Sequence, residues 1–213
     1  MFYDALHPDH GLPHRPTNAL VVPRPIGWIS TISLDGVTNL APYSFFNLVN
    51  GDPPQVMLSS ERRAGGEKKD TQRNIEETGE FVFNLCTWDL REAMNLSASI
   101  EAPSFDELKA VGLTPAPSRL VRAPRVAEAP IHLECRLQQV VALQNTRSGH
   151  HDLLIGDVVG VHIDDAYITD GLVDTARMRV LARLGYNDYA VIENVFSTPR
   201  LNAAELAKLG IVQ

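Results

Sequence analysis

The sequence predicts a mainly β protein of the α+β type, an antiparallel barrel or sandwich with short helices inserted between strands. About five to seven strand-like segments follow one another at hairpin spacing, and the helix-like segments interrupt this series instead of alternating with it. No GxGxxG motif follows a strand, and no Walker A, GxSxG or HExxH motif occurs. A doubly wound parallel sheet is therefore disfavoured, as are P-loop, serine-hydrolase and zinc-protease chemistry.

Composition fits one domain over residues 1–213, with an N-terminal extension over residues 1–17 and a C-terminal helical tail over residues 200–213. The 213 residues are 44% hydrophobic, which allows one well-buried core. The net charge of −7 and the lack of a basic run argue against nucleic acid as a partner. No apolar stretch reaches the ~18 residues of a membrane span, and the N-terminus lacks signal-peptide features. We therefore expect a cytoplasmic protein with no membrane partner.

The N-terminal extension carries three histidines among prolines, namely His7, His10 and His14. No accompanying carboxylate or thiol pattern fixes a coordination geometry, so we assign no metal site. The segment NALVV at residues 18–22 predicts a first strand. Two cysteines, Cys86 and Cys135, lie far apart without CxxC spacing, which favours reduced core thiols.

A hairpin is predicted over residues 24–47. Residues 28–33 mix aromatic, β-branched and hydroxyl side chains, which suit a half-buried strand, and Asp35-Gly36 is a hairpin-turn pair. Pro42 lacks an N–H, so the returning strand should bend or lie at an edge there.

Polar and aromatic side chains alternate at the end of this hairpin, where Tyr43, Ser44 and Asn47 flank two phenylalanines. Together they would suit a planar heteroaromatic ligand with polar ring edges. The same residues also fit an ordinary hairpin whose aromatics are core.

The next segments predict a strand, a charged loop and a helix. The strand QVMLSS ends at Ser59 and Ser60, and a helix over residues 71–78 follows, capped by Asp70 or Thr71 and stopped by Gly79. A helix start offers free N–H groups and partial positive charge, and Lys68 and Lys69 precede this one. A phosphate could bind here, although a solvated charged loop with an ordinary cap has the same composition.

The rest of the chain predicts further strands and short helices. They are a strand over residues 80–87, a helix over 88–97, a capping box at Ser104 opening a short helix that ends at Gly112, a proline-rich surface excursion over 115–130, a long hairpin of residues 131–143 and 152–163 with bulges or close backbone approach at Gly156 and Gly160, a strand-and-turn unit over 178–189, and a helix capped at Asn202. His150 and His151 fall at the mouth of the long hairpin.

Five segments, in this order, resemble the flavin reductase-like family of FMN-binding split β-barrel proteins. They are RPIGWISTIS (24–33), NLAPYSFFN (39–47), KDTQRNIEETGEFVFN (69–84), HDLLIGDVV (151–159) and ARLGYNDY (182–189). The resemblance covers about residues 21–196, and it makes a phosphate-binding loop the leading interpretation of the helix start.

The resemblance implies FMN as cofactor and a set of binding residues. The flavin ring and ribityl chain would be lined by Trp28, Ile29 and Ser30, with Pro42, Tyr43, Ser44 and Asn47 on the facing segment. The phosphate would be held by Ser59, Ser60, Lys69, Asp70 and Thr71. The C-terminal turn would close on the cofactor with Arg183 and Leu184. His151 would face the nicotinamide site.

The implied activity is that of an NAD(P)H-dependent flavin reductase. Hydride would pass from NADH or NADPH to FMN N5, and electrons would go on to free flavin, oxygen or a partner monooxygenase. The resemblance also implies a homodimer. Tyr186 stands where family members commonly have a second glycine, which would narrow the entrance. Two alternatives remain open: an FMN-binding electron carrier without nicotinamide turnover, and a cofactor-free ligand-binding barrel.

Overall fold

The structure is a computed structural model that describes residues 1–5, 10–14, 16–98, 105–143 and 149–210. The strands are β1 (Arg24–Pro25), β2 (Gly27–Ile32), β3 (Thr38–Tyr43), β4 (Phe46–Gly51), β5 (Pro54–Glu61), β6 (Glu80–Leu85), β7 (Pro115–Ala116), β8 (Arg125–Val126), β9 (Ile131–Ala142), β10 (His151–Ile163), β11 (Ile168–Thr169), β12 (Leu172–Val173), β13 (Leu181–Arg183) and β14 (Tyr189–Val191). The helices are α1 (Thr17–Leu20), α2 (Asp70–Thr78), α3 (Arg91–Ser97), α4 (Glu107–Ala110) and α5 (Ala203–Lys208).

Seven strands form one antiparallel sheet in the order β3-β2-β6-β9-β10-β5-β4. The sheet curls, so that β3 at one edge contacts β5 near the other edge. A smaller sheet of β1, β13 and β14 lies beside it. This confirms the predicted mainly β, antiparallel architecture with inserted short helices. No helix among the described residues combines the length and the apolar character needed to cross a bilayer.

Strand β2, next to the edge strand β3, is buried on both faces of the sheet. On one face Ile29 packs with Phe81 and Leu154; on the other, Trp28 packs with Met94 and Leu108 from the helical segments. A strand buried on both faces needs a nearly continuous run of buried residues, and β2 supplies one. Both cysteines are free and buried, one in each core cluster, as predicted.

The proline-rich segment of residues 115–130 is held by side chains that project from the sheet. Val126 N donates to Asn84 Oδ1 at 2.8 Å, and His132 Nε2 donates to Val126 O at 2.7 Å. The carboxylate of Glu134 accepts from the backbone N–H groups of Arg119 and Leu120. Burial lowers the pKa of His132 to about 4, so this imidazole is neutral at pH 7 and keeps its bond to the segment. The segment is thus anchored although most of it lies outside regular secondary structure.

Several local predictions are confirmed. The chain turns between β2 and β3 at Gly36, whose φ is 86°, and Pro42 lies on edge strand β3. The long hairpin is β9–β10, with register shifts at Gly156 and Gly160. Asn202 caps α5 in a capping box. The predicted cap Ser104 lies outside the described residues.

The strand predicted over residues 18–22 is wrong, because this segment contains the helical turn α1. Gly185 has no side chain, which allows Ala19 to pack closely on it. The guanidinium of Arg24 donates to Val21 O at 2.9 Å and to Leu184 O at 2.9 Å. These contacts satisfy backbone carbonyls that a strand would have paired with a neighbouring strand.

Replacing Gly156 with Ala should destabilise the protein by roughly 1–3 kcal/mol through overpacking. A Cβ at this position would stand 2.4 Å from Cζ of Phe81, which is completely buried. Urea denaturation measures the free energy of unfolding. The matched control is Gly51→Ala, also in a strand, where a Cβ meets nothing within 4 Å. Equal stability of the two variants would contradict the close approach.

Candidate functional site

A cavity of about 1100 Å³ opens between the β3–β4 turn, the ends of β5 and β10, the loop over residues 62–69, the start of α2, and α4. Eight of the residues predicted for the site line it: Pro42, Tyr43, Ser44, Ser59, Lys69, Asp70, Thr71 and His151. Segments that are more than 80 residues apart in sequence therefore meet, because β5 and β10 are neighbours and place Ser59 beside Leu153.

One end of the cavity is suited to an anion. Helix α2 begins there after Lys69, whose side chain makes no capping bond, so the first-turn N–H groups are available to a ligand. The predicted capping by Asp70 or Thr71 is wrong. Asp70 is instead the first helical residue, and its carboxylate pairs with Arg63 at 3.1 Å and with Arg73. Its charge is thus compensated, so it repels an anion at the helix start less than an unpaired carboxylate would.

The floor of the cavity contains buried hydroxyl groups. Tyr43 lies beside the hydroxyls of Thr71 and Ser60, and burial raises the pKa of its phenol, which therefore stays protonated. Thr71 Oγ1 donates to Asn39 Oδ1 at 2.7 Å. Within the described ranges, Tyr43 OH and Ser60 Oγ are buried without a hydrogen-bond partner. Buried polar atoms without partners are unfavourable, so these two hydroxyls favour a polar ligand or water beside them.

The other end of the cavity is more apolar and carries the histidine. Phe45 and His151 have ring centroids 6.4 Å apart. His151 Nδ1 lies 3.4 Å from Ser59 Oγ, and its Nε2 lies 3.8 Å from Glu61 Oε1. The imidazole is about three-quarters buried, with a side-chain exposure of 23%. A flat apolar surface with one polar ring edge is thus present on this side.

Two features of the site were missed from the sequence. Asp152 is bound by Arg62, with Nε 2.7 Å from Oδ2, and by Gln72 Nε2 at 2.7 Å, which ties α2 to β10. The Arg62 bonds, followed by that of Gln72, lower the pKa of Asp152. Glu107 also lines the cavity and contacts Asn39. These pairs are 68 to 90 residues apart in sequence, and no local pattern announced them.

Four predicted binding residues do not line the cavity as side chains. Trp28, Ile29 and Ser30 are fully buried; Trp28 Nε1 donates to Ser97 Oγ at 3.0 Å, and Ser30 Oγ donates to Pro124 O. All three lie in the core: cover on the outer face of β2 buries Trp28 and Ser30, and Ile29 packs on the opposite face with Phe81 and Leu154. Ser60 lies beneath the floor. Ser97, held by Trp28, does line the cavity.

Three further predicted residues lie outside the cavity lining. Asn47 is exposed on β4, and its Oδ1 accepts from the next backbone N–H. Arg183 binds Tyr189 and the carbonyl of Tyr186, and the carbonyl of Leu184 is held by Arg24. Tyr186 has a positive φ of 55°, which explains why glycine suits this position. Its side chain is half exposed and is not part of the lining.

A model of the "Flavin reductase like domain" matches residues 19–180. An uncharacterised protein of Aquifex aeolicus is 39% identical over 171 residues, which are 80% of this chain and 85% of the relative. Among solved structures, nitrilotriacetate monooxygenase component B from Bacillus cereus superposes with a TM-score of 0.84 at 32% identity, covering 93% of this chain and 100% of that one. A split barrel domain protein from Shewanella frigidimarina NCIMB 400 gives 0.77 at 23% identity, covering 93% and 100%.

The curled antiparallel sheet with its side cavity is thus the split β-barrel fold. The chain belongs to the flavin reductase-like family, because the family model covers most of its length.

Proposed function

We propose that the protein is an oxidoreductase that holds FMN in the cavity and reduces it with NADH or NADPH. The observation that carries this proposal is the union, in one cavity, of an uncapped helix start with an aromatic and histidine-bearing wall. The family supports an oxidoreductase that uses flavin. The identity of the donor and of the flavin are part of the proposal.

The residues present fit FMN. Lys69 and the first N–H groups of α2, that of Thr71 among them, would hold the phosphate, with Lys69 supplying charge. Ser59, also predicted for the phosphate, contacts His151 Nδ1 at 3.4 Å and would meet FMN on that side. The unpartnered hydroxyl of Tyr43, which lines the cavity, would gain an acceptor. Asp70 would act indirectly, by holding Arg63 in the lining of the cavity.

The flavin ring would lie along Pro42, Tyr43 and Ser44, opposite His151. In the proposed site Trp28, Ile29 and Ser30 act as a buried support for this wall, since Trp28 fixes Ser97. In the proposed site, FMN bound to one chain would not contact Arg183, Leu184 or Asn47 of that chain.

Bound FMN would supply the redox chemistry by accepting hydride at N5 and passing electrons on. The protein's part is to bind the phosphate, orient the ring and shield it from water. His151, fixed between Ser59 and Glu61, would orient the nicotinamide. The similarity to a monooxygenase component favours a partner monooxygenase as acceptor, with free flavin and oxygen as the other acceptors.

Replacing Lys69 and Thr71 with Ala should weaken FMN binding. A charge-assisted contact is worth roughly 1.5–3 kcal/mol, so loss of Lys69 should raise Kd about ten- to a hundredfold. Loss of the Thr71 hydroxyl, which is bonded to Asn39 in the first turn of α2, should raise Kd by less. Quenching of FMN fluorescence measures the affinity. Lys68→Ala is the matched control, because the neighbouring Lys68 is paired with Glu76 and does not line the cavity. Unchanged affinity in the first two variants would refute the phosphate assignment.

Anaerobic mixing of FMN-loaded protein with NADH and, separately, NADPH should bleach the flavin absorbance rapidly with one of them.

The variant His151→Ala should slow this bleaching while the affinity for FMN changes little. The control is His14→Ala, at an exposed histidine outside the cavity, and it should change neither the rate of bleaching nor the affinity. Equal loss of binding and reduction would make His151 structural. Bound FMN that neither donor bleaches would support an electron carrier, and failure to bind FMN would support a cofactor-free barrel.

The exposed edge strand β4 supports the proposed homodimer. Leu48 and Val49 are 57% and 51% exposed on this edge strand, next to the cavity residue Phe45. Leu48→Asp should shift the sedimentation coefficient from that of a dimer to that of a monomer. Leu172→Asp, at a 73% exposed leucine on the β11–β12 hairpin, is the control. A wild-type protein that sediments as a monomer would refute the dimer.

A further inference from the structure

Glu107 is a buried carboxyl group in the wall of the cavity. It is 3% exposed at the start of α4, and its Oε2 accepts from Asn39 Nδ2 at 3.0 Å and from Leu40 N at 3.2 Å. Both donors are neutral. Among the residues that the structure describes, no lysine or arginine pairs with it. A buried carboxylate without a cationic partner is unfavourable, whereas its neutral form is not.

Two other acidic side chains near this site differ from Glu107 in having arginine partners. Asp70 has Arg63 and Arg73, and Asp152 has Arg62, so the charge of each is compensated. Glu107 is therefore the carboxyl group of the site whose surroundings least support a negative charge. When neighbouring carboxyl groups have such unequal environments, a proton goes to the one with the least compensation.

The charged and titratable groups that face Glu107 act in the same direction. The negative charge of Asp70, from α2, acts on Glu107. Glu107 in turn acts on the phenol of Tyr43, from β3. Burial is the main cause of the raised pKa of Glu107, and the negative charge of Asp70 adds to it. The hydrogen bonds from the backbone N–H of Glu107 itself, from Leu40 and from Asn39 oppose this shift without cancelling it.

We propose that Glu107 takes up a proton from solvent when FMN enters the cavity, so that binding of the cofactor is coupled to neutralisation of this carboxyl group. This inference rests on the proposed function. A ligand in the cavity displaces water that solvates the carboxylate, and its phosphate brings a second negative charge to the same space. The step forms one O–H bond on the carboxylate, with the proton supplied by buffer and no electrons transferred.

The neutral carboxyl group can do what a carboxylate cannot. It keeps an oxygen to accept from Asn39 and Leu40, and it gains an O–H that can donate into the cavity. Because Asn39 also accepts from Thr71 in the first turn of α2, Glu107 is linked to the phosphate end by two hydrogen bonds. Glu107 is therefore a positioning residue whose protonation follows occupancy.

The test measures protons taken up per FMN bound. Calorimetric titration of the apoprotein in two buffers of different ionisation enthalpy gives this number, and the dependence of log Kd on pH gives it independently. Between pH 7 and 8.5 the FMN phosphate, with a second pKa of about 6, is already a dianion and contributes little. We expect wild-type affinity to fall as pH rises, by at most about tenfold per pH unit for one proton.

Glu107→Gln should bind FMN with a much smaller pH dependence and little proton uptake, because the amide cannot titrate. The matched control is Glu67→Gln, at an exposed carboxyl group that lines the same cavity, and it should behave as wild type. Equal pH slopes in wild type and Glu107→Gln overturn the inference.

Infrared difference spectroscopy keeps the test decisive if Glu107→Gln fails to fold. FMN binding to wild-type protein should produce a carbonyl band of a protonated carboxyl group, and absence of that band overturns the inference while FMN binding itself stands. If the wild-type protein binds no FMN, the proposed function fails first.

Discussion

The contact of Asp152 with Arg62 and Gln72 fixes the arrangement on which the cavity depends. It joins strand β10, the end of β5 and the first turn of α2, three elements that the chain order alone would leave independent. Asp152 is almost completely buried, so loss of either partner would leave a carboxylate with too few donors in a region of low dielectric. Together with the bond from Thr71 to Asn39, this carboxylate holds the helix start, and hence its free N–H groups, against the sheet.

Much of the fold could be predicted from the sequence because its signals are local. The turn at Asp35-Gly36, the edge position of Pro42, the stop of α2 at Gly79 and the capping box of α5 each depend on a few adjacent residues, and each is confirmed. The family also could be recognised, since its motifs cover most of the chain. For the cavity, eight of the side chains named from the motifs line it.

What the sequence could not supply were partners far apart along the chain. Local pattern indicated that Trp28, Ile29 and Ser30 form a strand, but whether one or both faces are buried depends on segments that arrive 60 to 95 residues later. Two other misses depend on which nearby partner a side chain finds and not on distance along the chain. The guanidinium of Arg24 binds the carbonyl groups of Asn18 and Val21, in and just after the helical turn α1. The carboxylate of Asp70 pairs with Arg63 and Arg73 and does not cap the backbone of α2.

The anchoring of residues 115–130 has a consequence for how the molecule tolerates change. Ser30, Asn84, His132 and Glu134 bind backbone atoms of this segment from four different positions on the sheet. A segment held in this way behaves as part of the core, although its sequence looks like a surface loop. Its amide hydrogens should exchange slowly with solvent, and an inserted peptide or affinity tag would be tolerated far better in the β11–β12 turn than here.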